Sequence, residues 1–331
     1  MSCDVLEIAC DESGAEGENL IGAINAVFAH AGVRFGVAEA AERVREIRAR
    51  APSPVQEYKA GHILREKNRA TLEWVLGPSG PLEGHAHVHL TEKRYFAVSR
   101  LAGLLLDDPD PGMFLDERAR DLATALYLEG GPAFGAGAWE SFLRAFNAAV
   151  RVNNGRNAEA SVDALFALAA ELRPAAPGGR MGAVADLLRA ARPNVERLRA
   201  LHLADPAMPP ALDPLLPAIA YAVARWGEGA APVLVVHDRQ TALTDERVDR
   251  VAKAVPAVAA TARMAGLRLA ASHADPRVQL ADLLAGAARR IAQDELAGRG
   301  DRRLTELLRP YVDRASVWGD PRSRALLHPD P

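Results

Sequence analysis

Two short apolar runs in this chain, Val5–Cys10 and Pro232–His237, each end on an aspartate, Asp11 and Asp238, and more than two hundred residues lie between them. Each run has strand length and β-branched or apolar content, and the first is closed by the turn-forming Asp11-Glu12-Ser13-Gly14. Between them, from Asp107 to about Gly229, the pattern is Ala-, Leu- and Arg-rich and helical, broken by Pro- and Gly-bearing loops. A fold that unites the two strands must therefore carry this helical stretch as an insertion. The expected class is α/β, a mixed sheet flanked by helices.

The remaining elements fill out that scheme. Leu20–Ala29 reads as a second strand followed by an Ala31-Gly32 turn, and Val37–Arg50 as an amphipathic helix stopped by Pro52 and Pro54. A helix follows Glu57–Leu64 and runs to Val75, Gly84–Leu90 alternates as a strand, and Lys93–Leu106 is helical. Thr244 caps a helix from Asp245 to about Ala262, and Leu267–Ala271 is a short strand. Pro276 opens a helix to about Leu296, and a last helix spans Arg302–Val312. The expected division is a core of residues 1–106 and 230–300, a helical insertion at 107–229, and a C-terminal helix and tail at 301–331.

Bulk charge is close to neutral, with net charge -3, so any polyanion contact must use a local patch. Arg43–Arg50 and the group Arg289, Arg290, Arg299, Arg302 and Arg303 are locally basic enough to offer phosphate contacts, and solvated helix faces explain them equally well. No apolar run is long enough to span a membrane, and the N-terminus lacks a basic region before its apolar stretch. The two cysteines, Cys3 and Cys10, stand at an odd offset on one segment and cannot bridge each other; a reducing cytoplasm is expected. P-loop, dinucleotide and nucleophile-elbow signatures are absent from the sequence.

Asp282 interrupts an otherwise apolar helical stretch, Val278–Ala288, beside a face of Val278, Ala281, Leu284 and Ala285, so its carboxylate should be half-buried. A strand-end aspartate is often only a turn former. Several carboxylates brought together would repel and raise one another's pKa, and a divalent cation offsets that. His85, His87 and His89 share one face of their strand, which is either a metal-binding arrangement or a half-exposed sheet face. His237 should point away from Asp238 and pack, and His273 lies in a loop before the Asp282 helix, within possible reach of a cleft.

Taken together, Asp11-Glu12-Ser13-Gly14, Glu57-Tyr58-Lys59, Asp238 and Gln279-Leu280-Ala281-Asp282-Leu283-Leu284-Ala285-Gly286 resemble the DUF3800 family, whose core is similar to the RNase H-like fold. The resemblance covers roughly residues 1–106 and 232–296. It implies Asp11, Glu57, Asp238 and Asp282 as ligands of two Mg²⁺ or Mn²⁺ ions, and a metal-dependent phosphodiester hydrolase of nuclease type. Lys59, two residues from Glu57, shares its face on an extended chain and could meet a phosphate or simply pair with Glu57. Two other functions remain open: a non-catalytic interaction protein on the same scaffold, and a hydrolase of small phosphorylated molecules. Oligomeric state has no signature here.

Overall fold

Five strands form one mixed sheet in the computed structural model, which describes residues 5–53, 58–106, 114, 116–151, 158–175, 178–205, 207–229 and 231–328. The strands are β1 (Leu6–Ser13), β2 (Val27–Val33), β3 (Ala86–Glu92), β4 (Val233–Asp238) and β5 (Met264–Ala270), in the spatial order β3-β2-β1-β4-β5. β1 is central; it runs antiparallel to β2 and parallel to β4, and β4 is parallel to β5. Parallel neighbours need a long crossover. Here the chain between β1 and β4, which includes β2, β3 and the helices that precede β4, supplies the one that brings β4 beside β1.

The helices of the sheet-bearing unit are α1 (Val37–Arg50), α2 (Ala60–Ile63), α3 (Arg69–Leu76), α10 (Leu215–Trp226), α11 (Asp245–Val258), α12 (Pro276–Leu296), α13 (Arg302–Leu308) and α14 (Pro321–Leu327). α12 starts where the sequence dictates. Asp275 accepts the Arg277 N–H at 3.0 Å and Pro276 occupies the first turn, where its missing N–H costs nothing. α11 starts at Thr244, whose hydroxyl accepts from the Arg247 N–H. Clustering of contacts divides the chain into two compact units, one of residues 1–15, 27–91 and 215–331 and one of residues 16–26 and 92–214.

Within the first unit the sheet is covered on both faces. Ala9, Val27, Ala29, Ala31, Val33, Val88, Leu90 and Val236 point toward α12 and share one apolar core with Val278, Ala281, Leu284, Ala285 and Ala288. The alternate residues face α10. Double coverage explains why β2 is buried at every position, the continuous apolar pattern of a strand with no wet face. In the second unit, α4 (Lys93–Leu105), α5 (Glu117–Phe134), α6 (Ala136–Val150), α7 (Ala158–Glu171), α8 (Arg180–Ala190) and α9 (Arg192–Ala204) pack helix on helix. Asn147 ties the 16–26 segment to α6, its Oδ1 accepting from the Leu20 and Ile21 N–H groups and its Nδ2 donating to the Glu18 carbonyl.

Several elements depart from the sequence expectation. β1 continues through Asp11 to Ser13, so Asp11 lies inside the strand rather than at its end. The second strand is Val27–Val33, not Leu20–Ala29, and Gly32 sits within it because a Cβ there would lie 2.7 Å from His87 Cε1. In place of the expected Ala31-Gly32 turn, this glycine marks a close approach of two strands. α10, expected in the helical insertion, belongs to the first unit and covers the sheet. α14 had no sequence expectation. Among the described residues no helix is long and apolar enough to cross a membrane.

Candidate functional site

The register of β1 and β4 brings two of the expected carboxylates side by side. Ala9 pairs with Val236 and Cys10 with His237; the next residues are Asp11 and Asp238. Since side chains alternate, both follow Ala9 and Val236 onto the α12 face. α12 lies along β1 with Asp282 in its second turn. Asp282 is half-buried beside fully buried Ala281 and Leu284, as its setting in the sequence indicated.

Asp11 is 6% exposed and is the electrostatic focus of the group. Burial pushes its carboxyl up to about 9, and the negative charges of Glu12, Asp282 and Asp238 add to the rise, against the Glu12 N–H, which donates to Oδ1 at 2.8 Å and favours the anion. Asp238 Oδ1 accepts the Ser272 N–H at 3.1 Å. Asp11 thus favours its protonated form, first because burial penalises the charged carboxylate and then because its neighbours are also negative. That is the condition a divalent cation relieves, and the donors are hard oxygens of the kind Mg²⁺ and Mn²⁺ take. Among the described residues, however, no three His, Cys, Asp or Glu side chains stand together as a ready-made metal cage. Glu57 lies outside the described residues.

Lys59 is exposed and stands at the N-cap position of α2 without a capping hydrogen bond from its side chain. The next residue, Ala60, touches α12 at Gly286, where an added Cβ would come 2.2 Å from the Ala60 Cβ. One pairing of this neighbourhood is absent from the sequence expectations. Arg289, seven residues after Asp282 and so on the same helix face, donates from Nε to Ser13 Oγ at 2.9 Å, and its Cδ would lie 2.7 Å from a Cβ on Gly14. The seven-residue spacing is the signal that could have found it. Gly14, with φ of 85°, allows the chain to leave β1 beside that guanidinium.

The opposite face of β1 has a different chemistry. Glu12, which sequence reasoning missed beside Asp11, turns toward a layer of buried histidines. His237 and His30 are both fully buried with their Nε2 atoms 3.2 Å apart, and Glu12 Oε2 lies 3.7 Å from His237 Nε2. Gln240 donates to Glu12 Oε1. His237 Nδ1 is 2.9 Å from the Asp238 carbonyl, which can only accept, so Nδ1 carries the proton and His30 Nε2 donates to His237 Nε2. The expectation that His237 packs away from Asp238 agrees with its burial.

The three alternating histidines are not brought together as expected. His85 precedes β3, is exposed and stacks on Phe35, whereas His87 and His89 are buried rather than half-exposed. The reason is α10: Trp226 Nε1 donates to His87 Nδ1 at 2.8 Å, and Tyr221 stacks on His89 at 4.7 Å between ring centroids. Burial holds His87 and His237 down at about 4, and His30 well below the usual imidazole range. His273 is exposed in the turn before α12. Cys10 is buried, and burial pushes its thiol far up, which leaves it unreactive. Compared with known proteins, the chain matches no family model, no curated protein and no solved structure.

Proposed function

We propose that this protein is a metal-dependent phosphodiester hydrolase of RNase H-like architecture, a member of the DUF3800 family, in which Asp11, Asp238 and Asp282 hold Mg²⁺ or Mn²⁺ together with Glu57. The observation that carries this reading is the raised Asp11 carboxyl, buried among the charges of Glu12, Asp282 and Asp238. A sheet with one antiparallel strand beside β1, and aspartates from β1, β4 and a late helix on one face, supports the fold part of the reading. Divalent ions supply Lewis acidity and a more acidic water in such chemistry.

The chain's own residues have separable tasks in this proposal. Asp11 gives up its proton to become an acceptor; Ser272 orients Asp238 through its N–H; Arg289, braced on Ser13, presents a guanidinium to a phosphate oxygen. Lys59, at the N-terminus of α2, adds a second cation on the same side of α12. The test is incubation of the full chain with MnCl₂ and labelled single-stranded, duplex and hybrid oligonucleotides. Cleavage that EDTA and Asp11→Asn both abolish is expected. Intact substrates in all three cases overturn the hydrolase, and failure of calorimetry to detect Mn²⁺ would leave a non-catalytic interaction protein on the same scaffold.

A further inference from the structure

Four arginines from two distant stretches of the sequence meet at one cleft of about 200 Å³ in the first unit: Arg65 after α2, Arg69 on α3, Arg290 on α12 and Arg299 after it. Its floor is apolar, with Leu72 and Ile291 among the lining residues. Three carboxylates also line it, Glu66, Asp294 and Asp301, so its formal balance is one positive charge. The pairing within the cleft is uneven. Arg69 is held by Glu73 and Asp301 at 2.8 and 2.6 Å, while Arg290 and Arg299 share the single carboxylate of Asp294, at 2.6 and 3.4 Å. Among the described residues no carboxylate pairs with Arg65, which is exposed.

Exposed pairs of this kind contribute little to stability, so convergence of four guanidinium groups on one concavity is poorly explained by folding alone. A planar guanidinium with donors left over is suited to phosphate oxygens. The volume is below that of sites that swallow a whole small ligand, and it matches a phosphate group with part of a sugar. Along α12, Arg290 is eight residues past Asp282, about 12 Å at 1.5 Å per residue. Along a duplex axis each strand rises about 3.4 Å per nucleotide, so that span corresponds to roughly three or four nucleotides of a stacked strand. A mononucleotide cannot bridge it. The two places are joined by α2, whose Ala60 touches Gly286 and whose Ile63 lines the cleft.

The geometry points to a second phosphate-binding site, formed by Arg65, Arg69, Arg290 and Arg299, that grips the backbone of a nucleic-acid strand some three or four nucleotides from the carboxylates. This rests on the phosphodiester reading above and deepens it, because it makes the substrate a polymer rather than a small phosphorylated molecule. Fluorescence anisotropy with 5′-labelled oligothymidylates of two and eight nucleotides, with the full chain and EDTA present, tests it. The eight-mer should bind at least tenfold tighter than the dimer. Arg65→Glu and Arg299→Glu, both at exposed positions, should each weaken the eight-mer at least tenfold, lower its salt dependence by about one phosphate contact, and leave dimer binding and thermal midpoint unchanged. Equal binding of the eight-mer by these variants and the parent, equal binding of both lengths, or no binding by the parent overturns the site. Should arginine-dependent binding persist while no Mn²⁺-dependent cleavage is found, the cleft stands and the hydrolase falls. Mn²⁺-dependent cleavage with an unchanged KM for long substrates in Arg65→Glu leaves the hydrolase standing and overturns the cleft.

Discussion

The two faces of the sheet bury ionisable groups of opposite kind and meet the cost of burial in opposite ways. Toward α12, Asp11 avoids charge by holding a proton; toward α10, His30, His87 and His237 avoid charge by losing one. The histidines have partners that suit their neutral form: the Trp226 N–H for His87 and the Asp238 carbonyl for His237. Asp11 receives mainly repulsion from its neighbours. The histidine layer is itself only partly satisfied, since His30 Nδ1 and His87 Nε2 have no hydrogen-bond partner among the described residues. What separates the faces is the sign of the charge each excludes: Asp11 would take on a negative charge among carboxylates, and the histidines a positive one among imidazoles.

The largest expected effect separates the faces by activity. Asp282→Asn should lower Mn²⁺-dependent cleavage by on the order of a hundredfold or more with no loss of fold, while Trp226→Phe on the α10 face should leave the rate within about threefold. Equal effects of the two substitutions would break the comparison. Next is the pH dependence of the metal-free protein. The histidines have folded pKa values below their unfolded value of 6.5, so they contribute stability above that pH and lose it as pH falls toward about 4. Asp11 is raised, so its contribution is full below 3.8 and is lost as pH rises toward about 9. Each group shifts stability by at most roughly 1.4 kcal/mol per pH unit within its window. Stability should therefore rise with pH from 4 to 6.5, where three histidines outweigh one aspartate, and decline above it, as urea titrations across pH would measure.

Most of the α12 face was legible in the sequence, and most of the α10 face was not. Asp238 follows a β-branched run and Asp282 interrupts an apolar helix, so each announces itself locally; α12 and α1 begin and end at their capping and breaking residues. Glu12 and His30 carry no such local mark. Their roles depend on which residues a neighbouring strand and α10 bring opposite them, which is set by register and by a helix nearly two hundred residues away. Likewise the arginine cleft unites residues whose local patterns read as ordinary solvated helix faces. Gly32 looks like a turn former in its own segment because the physical reason for it, the His87 ring against β2, lies on another strand.

Two smaller effects sharpen the contrast. Asp11→Asn should remove the alkaline decline in metal-free stability, and MnCl₂ should raise the thermal midpoint of the parent increasingly with pH up to about 9 but not that of the variant. An equal rise in both would detach Asp11 from the ion. Trp226→Phe, by leaving His87 Nδ1 without its donor, should cost about 1 kcal/mol in urea unfolding. A neutral result would show that water or a tautomer change serves His87 as well.

The central place of β1 has a consequence for how ligands would be felt. Its amides are hydrogen-bonded into a sheet with strands on either side and helices over both faces, so Ile8, Ala9 and Cys10 should exchange their hydrogens with solvent only when the whole unit opens. Whatever binds at Asp11 is then anchored to the last segment to let go. Slowed exchange at these three amides would read out its binding free energy directly, without any assay of turnover.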